Sequence, residues 1–97
     1  MVERDSRDTT VFIGTKPFMN YVTSVVMQFT GKNAREVCIK ARGKFISSAV
    51  DVAEVVSKRF LQNQVEVSTV RIGSESFKNQ DGKDIRVSIV EILMRRK

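Results

Sequence analysis

The chain has 97 residues and a mass of 11.0 kDa, one domain's worth, able to bury a modest core without metals or disulfides. Hydrophobic residues make up 41% and charged residues 29%, the balance of a soluble globular domain, and no apolar run approaches the roughly 20 residues of a membrane helix. Lysine and arginine number 17 against 11 aspartates and glutamates, a net +6 with a pI near 9.9, which points to a polyanionic partner.

Met1–Asp8 is charged, with Glu3, Arg4, Asp5, Arg7 and Asp8. It lacks the apolar stretch of a secretory signal, and residues 1–8 read as a mobile tail ahead of a single domain over residues 9–97. Thr10-Val11-Phe12-Ile13 is a β-branched and aromatic run ended by Gly14, a short buried strand. Pro17, the only proline, suits the first turn of a helix. From there to Thr30, Phe18, Val22, Val25, Val26 and Phe29 recur at three- and four-residue spacing, the apolar stripe of an amphipathic helix. Gly31-Lys32-Asn33 ends it.

Glu36–Lys40 alternates as a second strand, with Ala41-Arg42-Gly43 as the turn out of it. A second helix is expected from Lys44 to Arg59. Its polar residues Ser47, Asp51, Glu54 and Lys58 form one stripe, and the rest of its circumference is mostly apolar. Either it is deeply buried, or part of that surplus meets another subunit. Val65, Val67, Val70 and Ile72 form a third strand whose phase slips near Ser68-Thr69, the mark of a bulge. Ile85–Met94 is a fourth strand, alternating through Ile85, Val87 and Ile89 and then in the other phase through Val90, Ile92 and Met94. Gly73–Asp84 between them is polar, with Asp81-Gly82 as its turn. The order is βαβαββ, an α/β domain (an α+β sandwich) with two helices on a small mixed four-stranded sheet.

Catalytic chemistry is absent from the pattern. The lone Cys38 excludes an internal disulfide, and the lack of histidine removes the commonest metal ligand and general base. No glycine pattern of a nucleotide loop occurs, so neither an enzyme, a metal site, a cofactor nor a small-molecule substrate is expected. A membrane-surface role is not expected either, because neither helix has a basic polar face.

The positive charge is concentrated. Lys40, Arg42 and Lys44 crowd the turn between the second strand and the second helix, and Lys16 stands at the turn before the first helix. In a βαβα unit both turns lie at the same end of the sheet, so the four cations are expected to converge beside two helix N-termini. Asn20 and Tyr21 lie one turn into the first helix, within reach of that edge. Lys78, Lys83 and Arg86 sit on the segment of about residues 73–86. That segment is either a loose loop or a two-stranded arm entering a nucleic-acid groove.

Ile13–Val22 (IGTKPFMNYV), Ile39–Lys44 (IKARGK), Lys58–Leu61 (KRFL) and Asn79–Gly82 (NQDG) together resemble the Alba family of archaeal chromatin proteins. The resemblance runs from about Thr10 to Lys97. It implies the fold of the C-terminal domain of bacterial translation initiation factor three. It also implies a homodimer that binds double-stranded DNA without strong sequence preference and compacts it, and that binds RNA. Lys16, Lys40, Arg42 and Lys44 match the family's central DNA-binding cations, Asn20 and Tyr21 match polar positions near them, and Arg86 matches a basic residue of the arm. Phe60 matches the aromatic through which neighbouring dimers touch. The family often carries two adjacent lysines after the glycine, the first of them an acetylation site. Here Thr15 takes that place, leaving Lys16 as the candidate for modification. A cytoplasmic, nucleoid-associated protein is the expectation, with an RNA chaperone or a subunit of an RNA-processing ribonucleoprotein such as ribonuclease P as the alternative.

Overall fold

The computed structural model describes residues 9–97, so the tail expected over residues 1–8 lies outside the described residues. Six main elements follow one another: β1 (Thr10–Phe12), α1 (Phe18–Thr30), β2 (Glu36–Arg42), α2 (Ile46–Val55), β3 (Val65–Lys78) and β4 (Asp84–Arg96). The sheet order is β1-β2-β4-β3. The β1–β2 pair is parallel, while β2–β4 and β3–β4 are antiparallel. Both helices lie on one face, the other stays open, and the expected βαβαββ architecture holds.

The core forms where the periodicities meet. Val11, Val37, Ile39, Ala41, Val90, Ile92 and Met94 alternate onto the helix side of the sheet. Tyr21, Val22, Val25 and Phe29 of α1, with Ala49, Val52, Ala53 and Val56 of α2 and its extension, cover them. The phase slip in β3 is a bulge between Val67 and Thr69. Upstream, β2 runs two residues past its expected end because Arg42 still pairs with Ile89. The turn falls on Gly43, whose φ of +58° most side chains resist, and a single 3-10 turn over Gly43–Phe45 leads into α2.

The expected helix over residues 44–59 is therefore three pieces. After α2 the chain widens into a π turn over Val56–Phe60, closed by the Leu61 N–H donating to the Val56 carbonyl at 2.8 Å. A continued α-helix would bring residue 60 under the core face already used by Val52 and Val56. The extra residue hands that slot to Leu61, 5% exposed, and turns Phe60 outward, 49% exposed.

Arg96 ties the end of the chain to the end of α1. Its guanidinium donates to the carbonyls of Phe29 and Ala34 and to Asn33 Oδ1, and it lies 5.9 Å from the centre of the Phe29 ring. It thus satisfies carbonyls that the helix terminus leaves without partners. Arg96→Met keeps the stem and removes the donors. It is expected to lower unfolding stability by about 2 kcal/mol in urea denaturation, and an unchanged midpoint would contradict this role.

Candidate nucleic-acid interface

Because β1 and β2 are parallel neighbours, their C-terminal ends and the two strand-to-helix loops share one end of the sheet. Lys40 and Arg42 alternate onto the open face, where Lys40 is in register with Phe12 on one side and Glu91 on the other. Its ammonium lies 3.6 Å from Glu91 and 5.9 Å from the centre of the Phe12 ring. Arg42 Nη1 donates to Glu75 Oε1 at 3.0 Å. Lys44 stands in the 3-10 turn, 5.5 Å above the Phe45 ring. Lys40, Arg42 and Lys44 line one open groove of about 630 Å³ together with Phe12, Glu75 and Phe77. Lys16 and Asn20 line an adjoining depression beside α1, and Phe12 borders both.

This grouping corrects the expected rim in two respects. Lys40 belongs to the sheet face and not to the turn, since β2 continues beyond it. Tyr21 is mostly buried and borders the depression of Lys16 and Asn20 from below, and its hydroxyl accepts the N–H groups of Gly14 at 3.0 Å and Lys16 at 2.9 Å. It is a positioning residue. Two donors of the loop converge on one oxygen, which fixes the backbone from which Lys16 projects. The N-terminus of α1 has no side-chain cap, so its first N–H groups face the same loop and favour an anion there.

The segment after Gly73 is no loose loop. β3 and β4 stay paired to Lys78 and Asp84, five residue steps beyond the last β2–β4 pair, so an arm projects roughly 17 Å at about 3.3 Å per residue. At its tip Asn79 Oδ1 accepts from the N–H groups of Asp81 and Lys83, and Gly82 takes φ +79°. Lys78 Nζ lies 2.9 Å from Asp84 Oδ1, which accounts for that acidic residue. Lys83 and Arg86 are the arm cations outside any ion pair among the described residues. The arm has two unlike faces. Ser74, Ser76, Ser88 and Arg86 alternate onto one, and Phe77, Ile85, Val87 and Ile89 onto the other.

Sequence reasoning missed Glu75 as the partner of Arg42, because residues 73–84 read equally as a loose loop or a two-stranded arm, with no register for either. The alternation Ser74-Glu75-Ser76-Phe77 was the available signal. It also missed that the helices leave β3 uncovered. Val67, Val70 and Ile72 face the helix side, yet Val70 is 56% and Ile72 84% exposed. Glu54, Ser57 and Val67 line one depression, which sets that face of α2, with the exposed Val50 one turn earlier, beside β3.

Nothing among the described residues groups three or more possible carboxylate, thiol or imidazole ligands for a metal. Burial pushes the Cys38 thiol up from its ordinary value, the reverse of what a nucleophilic cysteine needs. Tyr21→Phe removes the acceptor of the loop while keeping the ring. The Gly14 and Lys16 amides are then expected to exchange with solvent roughly tenfold faster, with the core unaffected; unchanged exchange at both would contradict the positioning role.

The family model described as Alba matches residues 9–74. The protein named DNA/RNA-binding protein Alba from Methanococcus maripaludis is 47% identical over 87 residues, covering 90% of this chain and 97% of the relative. That of the same name from Methanocella arvoryzae is 48% identical over 89 residues, covering 92% and 91%. Among solved structures, Alba from Thermoplasma volcanium superposes with a TM-score of 0.82 at 42% identity, covering 90% of this chain and 99% of that one. ALBA1 from Trypanosoma brucei shares the fold at a TM-score of 0.70 and 21% identity, covering 97% and 72%. With its βαβαββ sheet, its basic strand-to-helix end and the family match across most of its length, this chain belongs to the Alba family.

Proposed function

We propose that this protein binds double-stranded DNA through its phosphate backbone, without sequence preference, and that it coats and compacts the chromosome as a homodimer. The observation that carries this reading is that Lys16, Arg42 and Lys44 stand at the end of the sheet from which the arm projects. Curated relatives at 47–48% identity are named as binding both DNA and RNA, which supports a nucleic acid as the ligand and keeps RNA as a second one. The protein acts as a cytoplasmic, nucleoid-associated binder and not as an enzyme.

Phosphates supply the affinity here and base edges little. Arg42 and Lys40 hold carboxylates only at the surface, and such pairs contribute roughly 0–1 kcal/mol. An arriving phosphate displaces Glu75 or Glu91 at small cost. The arm, carrying Arg86 and Lys83 and tipped by Gly82, then follows the groove beside the bound backbone, where width and potential count more than base identity.

Val50, Val67, Val70 and Ile72 favour a second copy of the chain as the cover of the open flank of β3. Pairing there doubles the formal +6 of each chain and sets two arms on one duplex. Phe60, turned out by the π turn, makes the contact between dimers along the DNA.

Arg42→Glu is expected to weaken binding to A·T-rich and G·C-rich duplexes alike, by roughly tenfold or more in equilibrium titrations; weakening confined to one sequence would contradict a backbone grip. Ile72→Glu is expected to yield a folded monomer by light scattering and circular dichroism. A dimer that persists would place the subunit interface elsewhere.

A further inference from the structure

The end of the sheet opposite the arm carries a second set of cations. The N-terminal ends of β1 and β2, the C-terminal end of β4 and the exit from α1 meet there, about 20 Å along the sheet from Arg42. They enclose a depression of about 690 Å³ lined by Lys32, Arg35, Arg95 and Arg96, with Glu36 as its one carboxylate among the described residues.

The four cations are not equivalent. Arg96 is spent on the carbonyls of Phe29 and Ala34 and on Asn33, so it forms the fixed floor. In doing so it neutralises the negative end of α1, which would otherwise repel an anion. Arg95 keeps only a loose pair with Glu66 at 3.9 Å. Lys32 and Arg35 are exposed and enter no ion pair among the described residues. Asn33, in the left-handed region at φ +57°, reverses the chain between them and brings both to the same opening. Lys32 and Arg35 thus stand over a neutralised helix end, and Arg95 borders the same opening from the open face of the sheet, beside Glu36 and Glu66.

We infer that the Lys32, Arg35 and Arg95 depression is a second phosphate-binding site, which takes the backbone of a nucleic-acid segment other than the one held at the Lys16, Arg42 and Lys44 end. The inference rests on the proposed DNA-binding reading and extends it. One chain then has anion-binding ends on opposite sides of its sheet and links two segments. Its ligand chemistry is the phosphodiester backbone, held by mobile side chains that tolerate any sequence.

The test is a sandwich assay with the full-length protein. One random-sequence duplex is tethered to beads and saturated with protein, and capture of a second, labelled duplex is measured. The parent protein is expected to capture it. Lys32→Glu/Arg35→Glu is expected to bind the tethered duplex within about twofold of the parent and to lose roughly tenfold or more of the capture. Lys32→Gln/Arg35→Gln, which removes the charge without reversing it and keeps a polar side chain, gives an intermediate loss and covers the case in which reversal unfolds the chain. Capture that is absent in the parent, or undiminished in both double variants, overturns the inference. So does displacement of the second duplex by inorganic pyrophosphate at constant ionic strength while the first stays bound, because that marks a small-anion site. Arg42→Glu separates the two readings. If it spares the tethered duplex while Lys32→Glu/Arg35→Glu releases it, the primary grip lies at this end, and both the inference and the proposed interface are overturned.

Discussion

The constraint on which the structure depends is the mismatch in strand length across the sheet. β3 and β4 are 14 and 13 residues long, whereas β2 has seven and β1 three. Two helices can cover only the short side, so the long pair has an arm beyond the body and an uncovered flank on β3. The core supplies the rigidity that makes this tolerable. Val25, Val37, Ile39, Val52 and Met94 are fully enclosed, and they hold the ends of β1 and β2 in a fixed relation. Every feature with a proposed role sits at an edge of that short, well-packed block.

Charge is arranged so that little of it is locked in place. The carboxylates facing Lys40, Arg42 and Lys78 are all on the surface, where water competes for both partners. Pairs of this kind are weak, and under the proposed reading they give way to phosphate oxygens. Arg96 is the exception. Its donors serve backbone carbonyls, and it acts in the fold and not in binding. The contrast between Arg95 and Arg96, neighbours in sequence with opposite tasks, follows from strand alternation. Arg96 points to the helix side with Val65, and Arg95 to the open face with Glu66.

Much of the fold was legible in the residues because its periodicities are clean. The three- and four-residue spacing from Phe18 to Phe29, the alternation around Val37 and Ile39, and the slipped phase at Ser68-Thr69 each read out directly as an element or a bulge. The rest depended on contacts between distant segments. β3 ran on to Lys78 because β4 was there to pair with it, and the short alternation Ser74-Glu75-Ser76-Phe77, set among glycine, serines and charges, left loop and arm both open. The π turn exchanged Phe60 for Leu61 under the core, a choice between two adjacent apolar residues that helical periodicity cannot make. At the candidate site, topology alone put Lys16, Arg42 and Lys44 at one end of the sheet, and the structure has them there, in two adjoining depressions. Tyr21 does lie within reach of that edge, but its hydroxyl, polar in sequence, is taken up by the backbone of the preceding loop.

The central claim is that phosphates on duplex DNA, and not bases or a particular RNA, are what this surface grips. A salt titration of binding to random-sequence duplex DNA, beside a duplex RNA of matched length, tests it most directly. With about six phosphates engaged, the logarithm of the affinity should fall against that of salt with a slope of roughly −5, and DNA should bind at least as tightly as RNA. A slope near zero, or a clear preference for the RNA duplex under the same conditions, would contradict the account.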